Sequence, residues 1–437
     1  MKSDEQLAKD EEISSRIISK DSALAERPTL SLFMLCCAAG VLAIGFALQV
    51  NNGYLARKAL LAIVIAMGFS WLALRGPGAT ILLPFRRRRV PYLLTVALLL
   101  LYTAGGVVFL RHHPDRIDVK VLEVDAVQSL IHGKDPYRIH YTHQDLEHPS
   151  QYYYGPGFAA EGGVEVGFSY PPLSLLWVVP GYFAGDVRYA FLIAVVLTAL
   201  FIFSLSPDAK GFVAAGLFLF VPATPFVLRL AWTEPVVVLS LAATALCAKK
   251  YPKLLPMALG LFFASKQYCP LFAPAAALLL PRFSWKEYLR LLIKAGLVTA
   301  ITYLPFVLWD GRGVWRSLVT FQIVGPFRPD SLSFSALLVS LGFRPIPQWI
   351  ILLAVAAAIW FTLKKAPRSP AGFAVSVAFI SMVFFVLNKQ AFCNYYFFSA
   401  AALCIGLASA QHESNDSSFV LVKVDTNQQG SSGCGPA

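Results

Sequence analysis

The stretch RRRRVPYLLTVALLLLYTAGGVVFL, from Arg86 to Leu110, decides the class of this fold. Four arginines stop against an apolar run of 20 residues, Pro91 to Leu110. About 20 apolar residues is the length of helix that crosses the hydrocarbon core of a bilayer. In lipid the backbone must satisfy its own hydrogen bonds, so such a run is a helix. A block of Lys and Arg beside it marks the cytoplasmic end. The spacing therefore places Arg86–Arg89 in the cytoplasm and the polar stretch after Leu110 outside.

The same pattern recurs on both sides of this stretch. Toward the N-terminus lie apolar segments at Leu30–Val50 and Ala59–Leu74. Toward the C-terminus they fall near 171–184, 189–206, 211–228, 235–248, 254–265, 269–281, 291–309, 348–363, 371–387 and 393–410. Hydrophobic residues make up 57% of the chain and charged residues 14%, against roughly a quarter charged in soluble domains. The formal net charge of +12 sits mostly in short loops between apolar runs, at Lys249-Lys250, Arg282–Arg290 and Lys364–Arg368. That distribution fits the positive-inside rule, and no phosphate loop or RNA-binding signature points to nucleic acid. Of the seven cysteines, Cys36, Cys37, Cys247, Cys269, Cys393 and Cys404 lie in or beside apolar runs. Cys434 is in the polar tail. No metal-ligand spacing or disulfide framework emerges.

These segments predict an all-α polytopic transmembrane bundle of about 12 spans. Residues 1–28, charged with both signs, read as a cytoplasmic N-terminal segment and not a cleaved signal peptide. Residues 29–110 hold the first three helices, and 111–170 form a large extracytoplasmic loop. Residues 171–410 hold the remaining bundle with a second outer loop at 310–347, and 411–437 read as a disordered cytoplasmic tail. An odd number of crossings is needed between the first loop and Lys249, where four runs stand. Segment 171–184 is short and carries Pro171, Pro172 and Pro180, so it is the one expected not to cross. Both termini are then cytoplasmic, in a multi-pass protein of the plasma (inner) membrane.

Chemistry concentrates in the first outer loop. Asp118–His132 has a helical period, with Val121, Val124, Val127 or Gln128, and Ile131 on one stripe. Gly133 and Pro136 follow where a helix would end. Asp118, Asp125, Ser129 and His132 share another face. Asp118 and Asp125 stand ~10 Å apart at the standard helical rise, too far to share one metal ion. By composition alone, an amphipathic interfacial helix with a solvated acidic face is the more ordinary reading of this pattern. Tyr137, Tyr152–Tyr154 and Tyr170 fit either a membrane-interface belt or platforms for sugar rings. Arg229, Glu234, Lys266 and Lys389 lie close to apolar runs. Lys266, between two short runs, is either a functional cation or a lysine snorkelling from a helix end. Arg312, Arg316, Arg328 and Asp330 add charge to the second outer loop.

The sequence resembles the GT-C superfamily of integral membrane glycosyltransferases, in particular its bacterial mannosyltransferase-like, polyprenyl-phosphate-sugar-dependent branch. Three features carry the resemblance in order: Asp118-Val119 opening a helix, Gly133-Lys134-Asp135-Pro136-Tyr137, and Tyr170-Pro171-Pro172-Leu173 opening the next apolar run. It covers roughly Pro91 to Ala410, and two apolar segments precede what would be the family's first. It implies a helical bundle with its active site at the outer face. It also implies transfer of a hexose, mannose by branch, from a polyprenyl-phosphate carrier to a lipid, glycan, glycolipid or protein acceptor, with inversion. Asp118 falls at the position of the catalytic base, with Asp125 as fallback. A phosphate leaving group needs positive charge and no proton. Lys266, Arg229 and Lys389 are the residues expected to hold it, and His132, Tyr137 and Tyr170 those expected to meet sugar or acceptor. No cofactor is required by this scheme, and participation of a divalent metal is left open. A transporter or lipid flippase also fits many helices with intramembrane charges, although no internal repeat is found. A catalytically silent relative of the superfamily is the third reading.

Overall fold

The computed structural model describes residues 56–73, 89–113, 117–142, 158–160 and 163–410. The expected segment Leu30–Val50, the N-terminal segment, Arg86–Arg88, Tyr152–Tyr154 and the tail 411–437 lie outside the described residues. Helix α1 spans Ala56–Ala73 and α2 Arg89–His112, and α3, Asp118–Ile131, belongs to the first large loop. The loop also holds a small antiparallel sheet, β1 (His140–Thr142), β2 (Ala159–Ala160) and β3 (Gly163–Glu165), in the order β1-β3-β2. The bundle is helical as expected, but the loop that caps it is not purely so.

Helices α4 (Pro172–Phe183), α5 (Arg188–Leu205), α6 (Ala209–Leu219), α7 (Thr224–Arg229), α8 (Glu234–Lys250) and α9 (Leu255–Ser265) follow. Two 3-10 turns, Cys269–Phe272 and Pro274–Leu279, lead to α10 (Trp285–Trp315), which is broken at Asp310. A π turn at Arg316–Thr320 and the short helices α11 (Phe321–Val324) and α12 (Phe334–Ser340) precede α13 (Gln348–Lys365), α14 (Pro370–Leu387) and α15 (Cys393–Ser409). Among the described residues five helical stretches have the length and apolarity to span a bilayer: Arg89–His112, Arg188–Leu205, Trp285–Val324, Gln348–Lys365 and Pro370–Leu387. Of the expected runs that lie among the described residues, the others fold as shorter helices or 3-10 turns, such as Ile63–Leu72, Pro172–Phe183, Ala209–Leu219, Pro252–Ser265 and Cys393–Ser409, so about 12 full-length spans are not seen there.

The layering follows from where apolar residues fall around each helix. Helices α5, α8, α14 and α15 pack on one another at the centre, with Phe191, Phe373, Phe385, Phe397 and Phe398 fully buried. Helices α2, α10 and α13 carry Leu100, Leu101, Leu308, Leu352 and Leu353 on the molecular surface. A helix apolar on its outward face is stable only where lipid covers it. The chain is therefore a multi-pass membrane protein.

The bundle has two chemically distinct ends. At one, Lys249 and Lys210 donate to the carbonyls of Ser409 and Ala410, and Arg368 donates to the Ala277 carbonyl. At the other, the first loop meets the second and the 388–392 link. Glu165 pairs with Arg316 at 3.5 Å, Phe158 stacks edge-on against Phe321, and Ala391 accepts from the Leu332 amide. Helix α4 has both ends at this loop end. Tyr170, before it, accepts from Tyr137, and Asp186, after it, pairs with Lys120 of α3 at 3.5 Å. This short helix packs along α3. Three traverses then separate the loop from Lys249: α5, the α6–α7 pair and α8.

Candidate active site

The loop helix α3 determines what the site contains. Its end is as expected: Gly133 takes a positive φ of 68°, and the Lys134 amide reaches the Ser129 carbonyl at 2.8 Å. Only glycine adopts that backbone at no steric cost. The buried face differs from the expected one. Val119, Leu122, Glu123, Ala126 and Val127 are buried, whereas Gln128 and Ile131 are exposed. Of the stripe through Val121, Val124, Val127 or Gln128, and Ile131, Val127 is buried and Val121 and Val124 pack half-buried on the core, but the deepest face is turned toward Val119, Leu122, Glu123 and Ala126.

Rotating the helix this way carries a carboxyl inside. Glu123 is fully buried, and neither of its carboxyl oxygens has a hydrogen-bond partner among the described residues. Burial pushes its pKa well above the ordinary carboxylate range. The Lys266 ammonium opposes that rise, the Glu234 and Asp186 charges add to it, and Lys120 opposes it again. Burial without a bonded cation thus favours the protonated form of Glu123, since an ionised carboxylate is costly in a dry interior.

Opposite Glu123 stand residues from two interrupted helices. Helix α9 ends at Ser265, and Lys266 is extended at φ −154°, ψ 150°, before the chain turns back through the 3-10 segments. Lys266 is the tip of this apolar hairpin. Between α7 and α8, Ala231 has φ 53° while fully buried, a backbone that costs about 1–2 kcal/mol for a residue with a Cβ. The strained turn delivers Thr233 and Glu234 to the Lys266 tip. Lys266 Nζ lies 2.9 Å from Glu234 Oε1, donates to Thr233 Oγ1 at 2.6 Å, and sits 4.4 Å from the centre of the Tyr170 ring. Glu234 is fully buried and Lys266 is 5% exposed. The ammonium thus donates to the Thr233 hydroxyl and lies within ion-pair distance of Glu234 and over the Tyr170 face, while neither Glu234 oxygen has a hydrogen-bond partner among the described residues.

A second knot fixes the rim. Arg188, 2% exposed, donates to the Leu110 and His113 carbonyls that end α2, to the Arg229 carbonyl that ends α7, and to Asp186 at 2.6 Å. Burial raises the pKa of Asp186, but the hydrogen bonds from Arg188 outweigh it and hold the carboxyl below its usual value.

The remaining expected site residues fall into two sets. Asp118 opens α3, half-buried, with its Oδ1 accepting from the Val119 amide at 2.8 Å, and its charge acts on Tyr170. Tyr170 and Lys266 join the cluster. Tyr137 is buried, its hydroxyl donating to the Tyr170 carbonyl at 3.0 Å. The cluster does not draw in the others. His132 is exposed and turns Nδ1 onto the Gln128 carbonyl at 2.7 Å. Lys389 Nζ donates to the Ile323 and Gly325 carbonyls at 3.0 and 2.7 Å, ending α11. Arg229 is half-buried beside the Arg188 knot, and Asp125 is half-buried further along α3. Among the described residues no group of three His, Cys, Asp or Glu side chains is placed to hold a metal ion. The residue missed from the sequence is Glu123. Its signal was a carboxylate set among Val119, Leu122, Ala126 and Val127, at offsets of 4, 1, 3 and 4.

No protein-family model matches the chain, and no curated protein matches it significantly. Among solved structures, ArnT from Cupriavidus metallidurans bound to undecaprenyl phosphate is similar at 17% identity, with a TM-score of 0.46 over 73% of this chain. The chain spans 59% of the length of that protein, less than two thirds.

Proposed function

We propose that this protein is a membrane glycosyltransferase. It moves a hexose, mannose by the sequence resemblance, from a polyprenyl-phosphate carrier to a lipid, glycan or protein acceptor, with inversion. The observation that supports this best is the water-poor cluster at the loop end. Two carboxyls, Glu123 and Glu234, and one ammonium, Lys266, meet there beside Asp118 and Tyr170. Ionisable groups at membrane depth are costly and are kept where they act on a ligand. The fixed charges of a dry site also act more strongly on a developing phosphate anion than they would in water. Asp118, half-buried at the rim, serves as the base for the acceptor hydroxyl, and Lys266 serves the leaving phosphate. The loop end faces outward in this reading, and the basic end and both termini face the cytoplasm.

The test is transfer from a defined polyprenyl-phosphate sugar in proteoliposomes. Asp118→Asn keeps the shape and removes the base, so transfer falls by roughly a hundredfold or more, while donor binding and insertion stay near normal. Asp125→Asn costs much less. Parental activity in Asp118→Asn with loss in Asp125→Asn moves the base along α3, and full activity in both sinks the single-base mechanism. Movement of the lipid across the bilayer without transfer selects the flippase reading. Binding with neither activity selects a silent relative.

A further inference from the structure

Five buried polar atoms in and beside the Lys266 cluster have no hydrogen-bond partner among the described residues: both carboxyl oxygens of Glu123, both of Glu234 and the Tyr268 hydroxyl. Glu123 and Glu234 are fully buried. The great majority of buried polar atoms have a partner, so a group of orphans marks a place where something else completes the bonding. Glu234 is at the centre of the group. It lies 2.9 Å from Lys266 Nζ. Its charge acts on Glu123 and Tyr170 of the outer loop and on Tyr268 and Tyr395 of the bundle.

The chemistry of these atoms selects the ligand. Four of the five are carboxyl oxygens, which accept hydrogen bonds. A phosphodiester brings only acceptors, so it cannot complete them. A hydroxyl can, since it donates once and accepts as well. In the protonated form that burial favours, Glu123 also donates. Aromatic rings extend the match. Tyr268 and Tyr395 stand 6.0 Å apart, inclined at 46°, and the Tyr170 ring lies 4.4 Å from Lys266 Nζ. A sugar ring offers apolar C–H faces to such rings and hydroxyls to the polar atoms. Charges reach the group from its edges as well: Arg328 acts on Tyr395, and Lys120 and Asp186 act on Glu123. A neutral ligand adds nothing to that balance, whereas a charged one has to be compensated in a buried cluster. The place also fits. With the donor phosphate at Lys266, the hexose bonded to it falls beside Glu234.

We propose that Glu123, Glu234 and Tyr268 form the pocket that reads the hydroxyls of a neutral donor hexose. This deepens the reading of the cluster as a glycosyltransferase site and rests on it. Hydroxyls of the sugar donate to the Glu234 oxygens and exchange hydrogen bonds with Glu123 and Tyr268. The Lys266–Glu234 contact stays in place. No covalent bond changes at these residues, which position the hexose and select it.

The experiment uses the full chain in nanodiscs, without acceptor. The probes are a polyprenyl methyl phosphodiester and the mannosyl, glucosyl and galactosyl phosphodiesters of the same polyprenol, all singly charged. The parent is expected to bind the tightest hexosyl lipid at least about tenfold better than the methyl lipid, the worth of one hydrogen bond to a charged group. Glu234 is left unaltered, because removing it strands Lys266 as a buried unpaired charge. Tyr268→Phe and Glu123→Met remove only orphan oxygens. Each is expected to cut the sugar increment by about three- to tenfold and to leave methyl-lipid affinity in place. Among monodeoxy forms of the tightest hexose, one loss seen in the parent is expected to vanish in Tyr268→Phe, the mark of direct contact. Methyl-lipid binding that depends on Lys266 but gains nothing from any hexose overturns the inference and leaves the phosphate reading intact. So does an increment that either variant keeps in full, or deoxy losses that add to the Tyr268→Phe loss in every case. Failure to bind any of the lipids overturns both. Transfer to an acceptor is scored separately. Its failure alongside the expected increment removes the transferase reading only.

Discussion

At the scale of single residues, the neutral state of Glu123 has a consequence for stability. Its folded pKa is raised, chiefly by burial, so between the ordinary carboxylate pKa and the raised one the folded chain binds a proton that the unfolded chain does not. Stability is then fully present at low pH and declines as pH rises through that window. Glu123→Gln abolishes the proton and keeps the shape. Its melting temperature in detergent is expected to lie above the parent's at about pH 8 and to converge with it toward about pH 4–5. Parallel pH profiles for the two proteins would show that Glu123 is ionised in the folded state. The residue was hard to find because it broke the expected pattern from inside. The stripe through Val121, Val124, Val127 or Gln128, and Ile131 is as apolar in one dimension as the stripe through Val119, Leu122 and Ala126, and packing alone sets which lies deepest.

At the scale of elements, the loop end is held by close backbone approach as much as by side chains. Phe168 donates its amide to the Pro136 carbonyl at 2.9 Å, which joins the segment between β3 and α4 to the Asp135-Pro136-Tyr137 turn. Asp135 shapes that turn by accepting from the Tyr137 amide at 2.9 Å. Gly167 lies in the seam, where a Cβ would collide with the Tyr137 carbonyl and the Ser317 hydroxyl. Gly167→Ala is expected to cost about 1–3 kcal/mol, the scale of overpacking, read as a lowered melting temperature with weakened donor binding. Gly105→Ala, whose Cβ would meet nothing within 4 Å on α2, serves as the neutral control. Equal melting temperatures for the two variants would show that the seam is looser than drawn. The Gly133–Tyr137 motif thus earns its place structurally: its turn carries Tyr137 under Tyr170, and Tyr170 carries the ring beneath Lys266.

At the scale of the whole molecule, the two ends of the bundle separate acidic, aromatic chemistry from basic anchoring. Arg138, 79% exposed at the loop end, and Lys253, exposed at the basic end, report on that polarity. In a cysteine-free parent, Arg138→Cys is expected to react with an impermeant thiol reagent added to intact cells, and Lys253→Cys only after permeabilisation. The opposite pattern would invert the bundle and put the cluster on the cytoplasmic face. The basic end has its own lock, in which Lys210, Lys249 and Arg368 satisfy carbonyls left over at the ends of α15 and of the hairpin. Cations at helix C-termini are favoured there by the partial negative charge of those carbonyls.

The sequence by itself determined the solvent, the helices and the turn signals. Apolar length, Pro and Gly placement and the distribution of Lys and Arg are properties of short stretches, and they act over a few turns of chain. That is why the helix opening at Asp118, its end at Gly133 and the shortness of the proline-rich segment at 172–183 were all legible. What only the tertiary structure decided was the composition of the site. Glu123, Glu234 and Lys266 come from three separate stretches, and each position taken alone suits a surface charge as well as a buried one. Whether a carboxyl is neutral or a lysine engaged depends on what lies within a few ångströms, because in a dry interior the nearest charge outweighs every local preference.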